Sequence, residues 1–310
     1  MTTDKEYCEL IEKINKEYFD ILSSKQYLYG RKVANIIGAL KKHKIRSLLA
    51  AWIQGIKIRR TCCKRDNSNY IYGNYPNRNL RFCVYTCITG NYDNLQPIHI
   101  RPQNVDYIAF TDNPNIKPNG WIVMDLPDIV KNIKGHANRN RYLKMHPNLV
   151  GYYDYALYVD GLVEIYSDIT NLVNVIDNRY GIAIHNHFSR DCVYEEVKFC
   201  NILKLGNCEK MIPMIKKYKE EGYPKHNGLL ECTVILTDLK NDISISILDE
   251  WWKEHLQNET KRDQLSLPYI LWKRGININH IGTLGNNVKT NPKFRINGHA
   301  AEFIRPHFKL

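Results

Sequence analysis

The 310-residue chain lacks any apolar run long enough to cross a bilayer. Its longest uncharged apolar stretches, such as Ala34 to Leu40, fall far short of about 20 residues. It also lacks a basic-then-apolar leader, since it begins Met1-Thr-Thr-Asp-Lys-Glu. Both absences set the expectation of a cytoplasmic protein. Cys-x-x-Cys pairs and zinc-finger spacings are missing as well. The nine cysteines, at 8, 62, 63, 83, 87, 192, 200, 208 and 232, are odd in number and read as reduced thiols. With 12 prolines and 17 glycines there is no collagen-like or linker-like bias, and 44 % apolar residues exclude wholesale disorder. A packed core follows.

One absence is local. Residues 30–65 contain 11 basic side chains and no acidic one, which accounts for nearly all of the net charge of +12. The remainder is almost neutral, so a nucleic-acid groove spread over the whole protein is excluded. Within the first 65 residues, Ile11, Ile14, Tyr18 and Ile21 have helical spacing. So do Val33, Ile36, Ile37 and Leu40 and, after a lysine cluster, Ile45, Leu48, Leu49, Trp52, Ile53 and Ile56. An apolar stripe flanked by Lys and Arg fits a helix lying in an anionic membrane interface, or a hairpin packed on the main domain with a solvated basic face. The expected organisation is a basic helical region over 1–65, a linker over the Asn-, Tyr-, Gly- and Pro-rich 66–80, and one domain over 81–310.

From residue 81, short apolar strands alternate with helical patterns. This predicts βα units and a mostly parallel sheet covered on both faces. Open sheets of that kind bind ligands beyond the carboxyl ends of their strands. Candidate residues there are Thr89, Gly90, Tyr92 and Asp93 after one strand, Thr111 and Asp112 after a second, and Asp160 with Gly161 after Tyr155-Ala-Leu-Tyr-Val. An acid ending a buried apolar strand is costly unless it serves a purpose, such as gripping a cation. Three polar clusters follow: 185–196 (with Asp191 as a candidate helix cap), 223–231 and 261–268. Dense Asn, His, Arg and Asp beside aromatic residues suit sugar binding, and Trp251 and Trp252 are stacking faces or helix core.

These segments carry a family resemblance. Val84-Tyr-Thr-Cys-Ile-Thr-Gly-Asn-Tyr-Asp93, Phe110-Thr-Asp112, Arg139-Asn-Arg-Tyr-Leu-Lys144, Tyr158-Val-Asp-Gly161, Arg190-Asp-Cys-Val-Tyr-Glu-Glu196, Asn227-Gly-Leu-Leu-Glu231 and Arg262-Asp-Gln-Leu-Ser-Leu-Pro-Tyr269 are similar to the glycosyltransferase-like family first catalogued as domain of unknown function 616. The similarity spans roughly residues 81–285. It implies an α/β GT-A fold, Rossmann-like with flanking helices, carrying an N-terminal helical appendage. The implied donor is a nucleotide-sugar, most readily a UDP-sugar, and the acceptor a saccharide or lipid-linked sugar of surface polysaccharide synthesis.

On that resemblance Thr89, Tyr92, Asp93 and Asp112 would hold the nucleoside, and Arg139 and Lys144 would face the diphosphate. Asp160 would stand at the first acid of an Asp-x-Asp metal motif. Position 162 is Leu, so Mn²⁺ or Mg²⁺ would need Asp160 with His280, which follows the strand-like Ile276 to Asn279; metal-independent transfer is the alternative. Asp263 and Gln264 would flank the anomeric carbon of a retaining enzyme, while Asp263 or Glu231 would be the base of an inverting one. Acceptor contacts fall to His185, His187, Arg190, Asp191, His226 and Asn227. Two other classes compete: a hydrolase using Glu195 with Glu196 or Asp263 with Glu231, and a membrane-binding adaptor acting through residues 30–65.

Overall fold

The computed structural model describes residues 72–76, 79–297 and scattered positions between 6 and 33. The basic segment therefore lies outside the described residues, apart from Gly30 and Val33. Of the expected apolar stripe of the first helix, Ile14 and Ile21 are described, and both are helical and exposed.

Strands β1 (Phe82–Ile88), β2 (Val105–Thr111), β3 (Ile122–Asp125), β4 (Tyr155–Val159), β6 (Ile182–Asn186), β7 (Leu230–Asp238) and β8 (Gly282–Thr283) form one sheet in the order β3-β2-β1-β4-β7-β6-β8. Every neighbouring pair is parallel except those of β7, which runs against both β4 and β6. A second, two-stranded sheet joins β5 (Val163–Ile165) to β9 (Phe294–Ile296). The helices are α1 (Asp128–Lys131), α2 (His136–Met145), α3 (Val193–Leu203), α4 (Cys208–Glu220), α5 (Asp242–Asn258) and α6 (Leu267–Lys273).

All seven residues of β1 are buried, which requires cover on both faces. Period-2 alternation divides them. Cys83, Tyr85 and Cys87, with Tyr158 and Ile184, pack against Leu143, Ile247, Leu248 and Trp251 of α2 and α5. Phe82, Val84 and Ile88, with Leu157 and Val234, pack with Leu172, Leu284 and Phe294 on the other face. A third cluster joins α3, α4 and α6 through Val197, Met211, Tyr218 and Tyr269. This is the expected GT-A architecture.

Three local expectations change. The segment read as a linker is docked at residues 72–76. Tyr72 is buried, its hydroxyl donates to the Leu284 carbonyl at 2.9 Å, and its own carbonyl accepts from Asn174 at 2.7 Å. Asp191 does not cap α3; Cys192 holds the cap position and no side-chain cap bond forms. Residues Ile278–His280 are a 3₁₀ turn instead of a strand end.

Candidate active site

The carboxyl ends of β1 and β4, the start of the reversed strand β7 and the inner face of α2 enclose a cavity of about 760 Å³. That is the size of a small-ligand site. At its centre Asp160 follows β4. The Asp160 amide is fixed by the Thr233 carbonyl at 2.9 Å, and its carboxylate accepts from the Tyr158 hydroxyl at 2.8 Å. Lys144 at the end of α2 is buried, with Nζ 2.8 Å from Asp263 Oδ2 and 3.5 Å from Asp160 Oδ1. Burial works against the lysine's charge, but the two carboxylates raise its pKa above the ordinary lysine value. Burial likewise works against ionisation of Asp263, yet Lys144 and Arg141 hold it well below the usual carboxylate range. The indole of Trp251 donates to the Asp263 carbonyl at 2.9 Å, so the two tryptophans are core, and one of them positions the site.

The wall formed by β7 adds Glu231. Burial pushes its pKa up, partly offset by the Thr233 hydroxyl, which donates to it at 2.6 Å. The opposite wall is the loop after β1. Gly90 has φ +65°, and its amide donates to Asp112 at 2.9 Å; a Cβ there would lie 2.8 Å from the His136 ring. Glycine is therefore required at the turn. Thr89 donates to the His136 carbonyl at 2.8 Å. Thr89, Tyr92, Asp93, Lys144, Asp160, Gly161, Glu231, Asp263 and Gln264 all line the cavity, and the fold brings together these nine residues expected from the sequence.

Other expected residues lie elsewhere. Asp112 sits behind the loop, accepting from Gly90 and His136. Arg139 turns outward, donating to the carbonyls of Ile133 and Lys131 at 3.0 and 2.9 Å. The diphosphate-facing role passes to Arg141, which lines the cavity one helical turn from Lys144. Arg262, Lys289 and His136 line it too, and the sequence reading missed all four. Helical spacing held the signal for one of them, because Ala137, Asn140, Arg141 and Lys144 share a face of α2 and residue 139 does not. The Nε atoms of Arg141 and Arg262 are buried without a hydrogen-bond partner among the described residues.

The expected acceptor set does not line this cavity. His185 is fully buried beside Asn291 and Phe294. Burial lowers the pKa of His187 to about 4. Arg190 is bonded through Nε to Glu196, which also receives the Gln264 amide at 2.9 Å. Burial opposes the charge of Glu196, but protonated His187, Arg190 and Arg262 around it hold its carboxyl below the ordinary value. Asp191 pairs with His226 at 2.8 Å, and Asn227 bonds to Tyr223. Glu195 and Glu196 diverge, so that proposed hydrolytic pair does not exist.

The expected metal pair also fails. His280 precedes β8, which is parallel to β6, so it lies at the amino edge of the sheet near Asp177; Asp160 is at the carboxyl edge. With Leu at 162 and the Lys144 ammonium already beside Asp160, the residues present do not form a protein metal site there. Among the described residues no third ligand joins Asp160.

Residues 141–284 match the family model described as TOD1/MUCI70, glycosyltransferase-like domain, in keeping with the resemblance read from the sequence. The matched span, under half of the chain, runs from α2 to just past β8 and includes Lys144, Asp160, Glu231 and Asp263. No curated protein matches the chain. Among solved structures, the glycosyltransferase GlyE from Streptococcus pneumoniae TIGR4 is 10% identical, with TM-score 0.34, over 66% of this chain and 44% of its own. The chain thus spans less than half of that protein's length. The galactosyltransferase LgtC, in complex with donor and acceptor sugar analogs, is 13% identical over 67% of this chain and 74% of its own, with TM-score 0.37. Core-mannan synthase A from Aspergillus fumigatus, in its Mn/GDP form, is 10% identical over 67% and 74%, with TM-score 0.38. The domain is glycosyltransferase-like by its family model.

Proposed function

We propose that this chain transfers a sugar from a nucleotide-sugar, most readily a UDP-sugar, to a saccharide or lipid-linked acceptor in surface polysaccharide synthesis. The observation that carries this reading is a buried Lys144 set between two carboxylates in a cavity rimmed by Arg141, Arg262 and Lys289. As the bond from the anomeric carbon to the diphosphate oxygen breaks, negative charge grows on the leaving group and positive charge on the sugar. Pre-placed cations and a carboxylate that stays ionised stabilise both in a low-dielectric site. Arg141, Arg262 and Lys289 serve the diphosphate. Asp263, which scarcely binds a proton, faces the developing oxocarbenium centre and does not act as base.

Retention is the proposed outcome, with the acceptor proton passing to the departing phosphate oxygen. A specific observation favours inversion instead: Glu231 lines the cavity with its proton affinity raised, as a base working near neutrality requires. The anomeric configuration of the product, read by NMR, separates the two. Under inversion Glu231→Gln abolishes transfer; under retention it lowers the rate modestly. The +11 segment before residue 66 is proposed to hold the enzyme at an anionic membrane surface.

A thermal-shift panel of UDP-, GDP-, CMP- and dTDP-sugars, with and without Mn²⁺, tests the donor. At about 100 times Kd a ligand adds about 2.7 kcal/mol, or roughly 5–10 °C in Tm for a domain of this size. Asp160→Asn should abolish turnover. No shift with any of the four donors overturns the reading.

A further inference from the structure

Away from the cavity, three potential ligands converge. Asp191 lies in the loop after β6, Glu195 in the first turn of α3, and His226 in the loop before β7; one ligand atom from each lies within 4.8 Å of the others. None lines the cavity. Donor atoms about 2.0–2.3 Å from one cation are separated by distances of that order.

The cluster is more than an acidic patch. Asp191 is 3% exposed, and although its Oδ1 accepts from His226 Nδ1 at 2.8 Å, its Oδ2 is buried with no partner among the described residues. The Oε2 of Glu195 is likewise buried and unpartnered there. A buried carboxylate oxygen without a donor is costly unless something completes it. The loop is built to present the imidazole: His226 adopts φ +56°, unusual for a non-glycine residue, and the Gly228 amide donates to the Asp191 carbonyl at 2.8 Å.

From these features we infer a divalent-cation site formed by Asp191, Glu195 and His226. Two carboxylates and one imidazole suit a first-row ion of borderline hardness, of the Mn²⁺ or Zn²⁺ kind. The cation would clip the loop that leads into β7, and so to Glu231, onto the helix whose Glu196 holds Gln264. Its role is positional, and it does not depend on the donor proposal.

The test is equilibrium dialysis of the full chain, stripped with chelator, against Mn²⁺ alone and Zn²⁺ alone, with Tm recorded in parallel. One ion per chain and a raised Tm are expected. Glu195→Gln and His226→Gln should each weaken binding about tenfold or more and abolish the Tm rise. Their ion-free Tm should stay near that of the parent, which shows that they fold. Asp160→Asn should leave the ion bound. No binding at millimolar ion, binding unchanged in both site variants, or loss of binding in Asp160→Asn overturns the inference. The nucleotide-sugar panel can fail without touching this result, and the reverse also holds.

Discussion

Lys144 contributes its only charge to two carboxylates, and removing it leaves Asp160 and Asp263 facing one another in a largely dry site. Breaking a buried pair by deleting one partner costs about 3–5 kcal/mol, somewhat less here because Asp160 is one-third exposed. Lys144→Met should therefore lower Tm by roughly 5–12 °C. Adding Asp263→Asn should recover part of the loss, since one stranded charge is gone. A scan in which the double variant is less stable than the single one contradicts this account. The position of Asp160 was legible in the sequence, because an acid at the end of an apolar strand has few other reasons to be there. That Lys144 is buried between Asp160 and Asp263 was not, because the contact to Asp263 joins residues 119 apart in the chain.

On α2, the motif Arg139-Asn-Arg-Tyr-Leu-Lys144 supplies two arginines with opposite duties. Arg139 ties the helix to the α1 turn through main-chain carbonyls, and Arg141 lines the cavity. Arg141→Ala should weaken nucleotide-sugar binding by about tenfold or more, the value of one charge-assisted contact, with little change in Tm. Arg139→Ala should do the reverse, and calorimetric titration beside a melting curve reads both. Equal losses of affinity in the two variants would sink the distinction. The strand positions and the long helices were readable from period 2 and period 3.6. What the sequence did not disclose is which polar residues turn inward: the cluster at 185–191 sits at the carboxyl edge as expected, yet its side chains bond to Glu196, His226 and Asn291.

Taken whole, the molecule buries two histidines in neutral form. Burial lowers the pKa of both His187 and His255 to about 4, against about 6.5 in an unfolded chain. Below 6.5 the unfolded state binds protons that the folded state refuses, so the stability is complete above that pH and lost as pH falls toward 4. Tm should be level from pH 8 to 7 and should drop between pH 6.5 and 4, by an amount worth about 2–3 kcal/mol for each histidine. In His255→Leu, whose native Nδ1 is buried without a partner among the described residues, the drop should shrink by about half. An unchanged slope assigns the acid sensitivity to carboxylates instead. The reversed strand carries a different consequence. Since β6 pairs only with β7 and β8, it has nothing to join until residue 230 and beyond have left the ribosome. Until then β4 ends in an open slot, and the growing polypeptide displays two raw strand borders that invite a stray partner. Synthesis of the last third of the protein is thus what seals the sheet, and a chain stopped short of β7 should be an aggregating fragment, not a smaller enzyme.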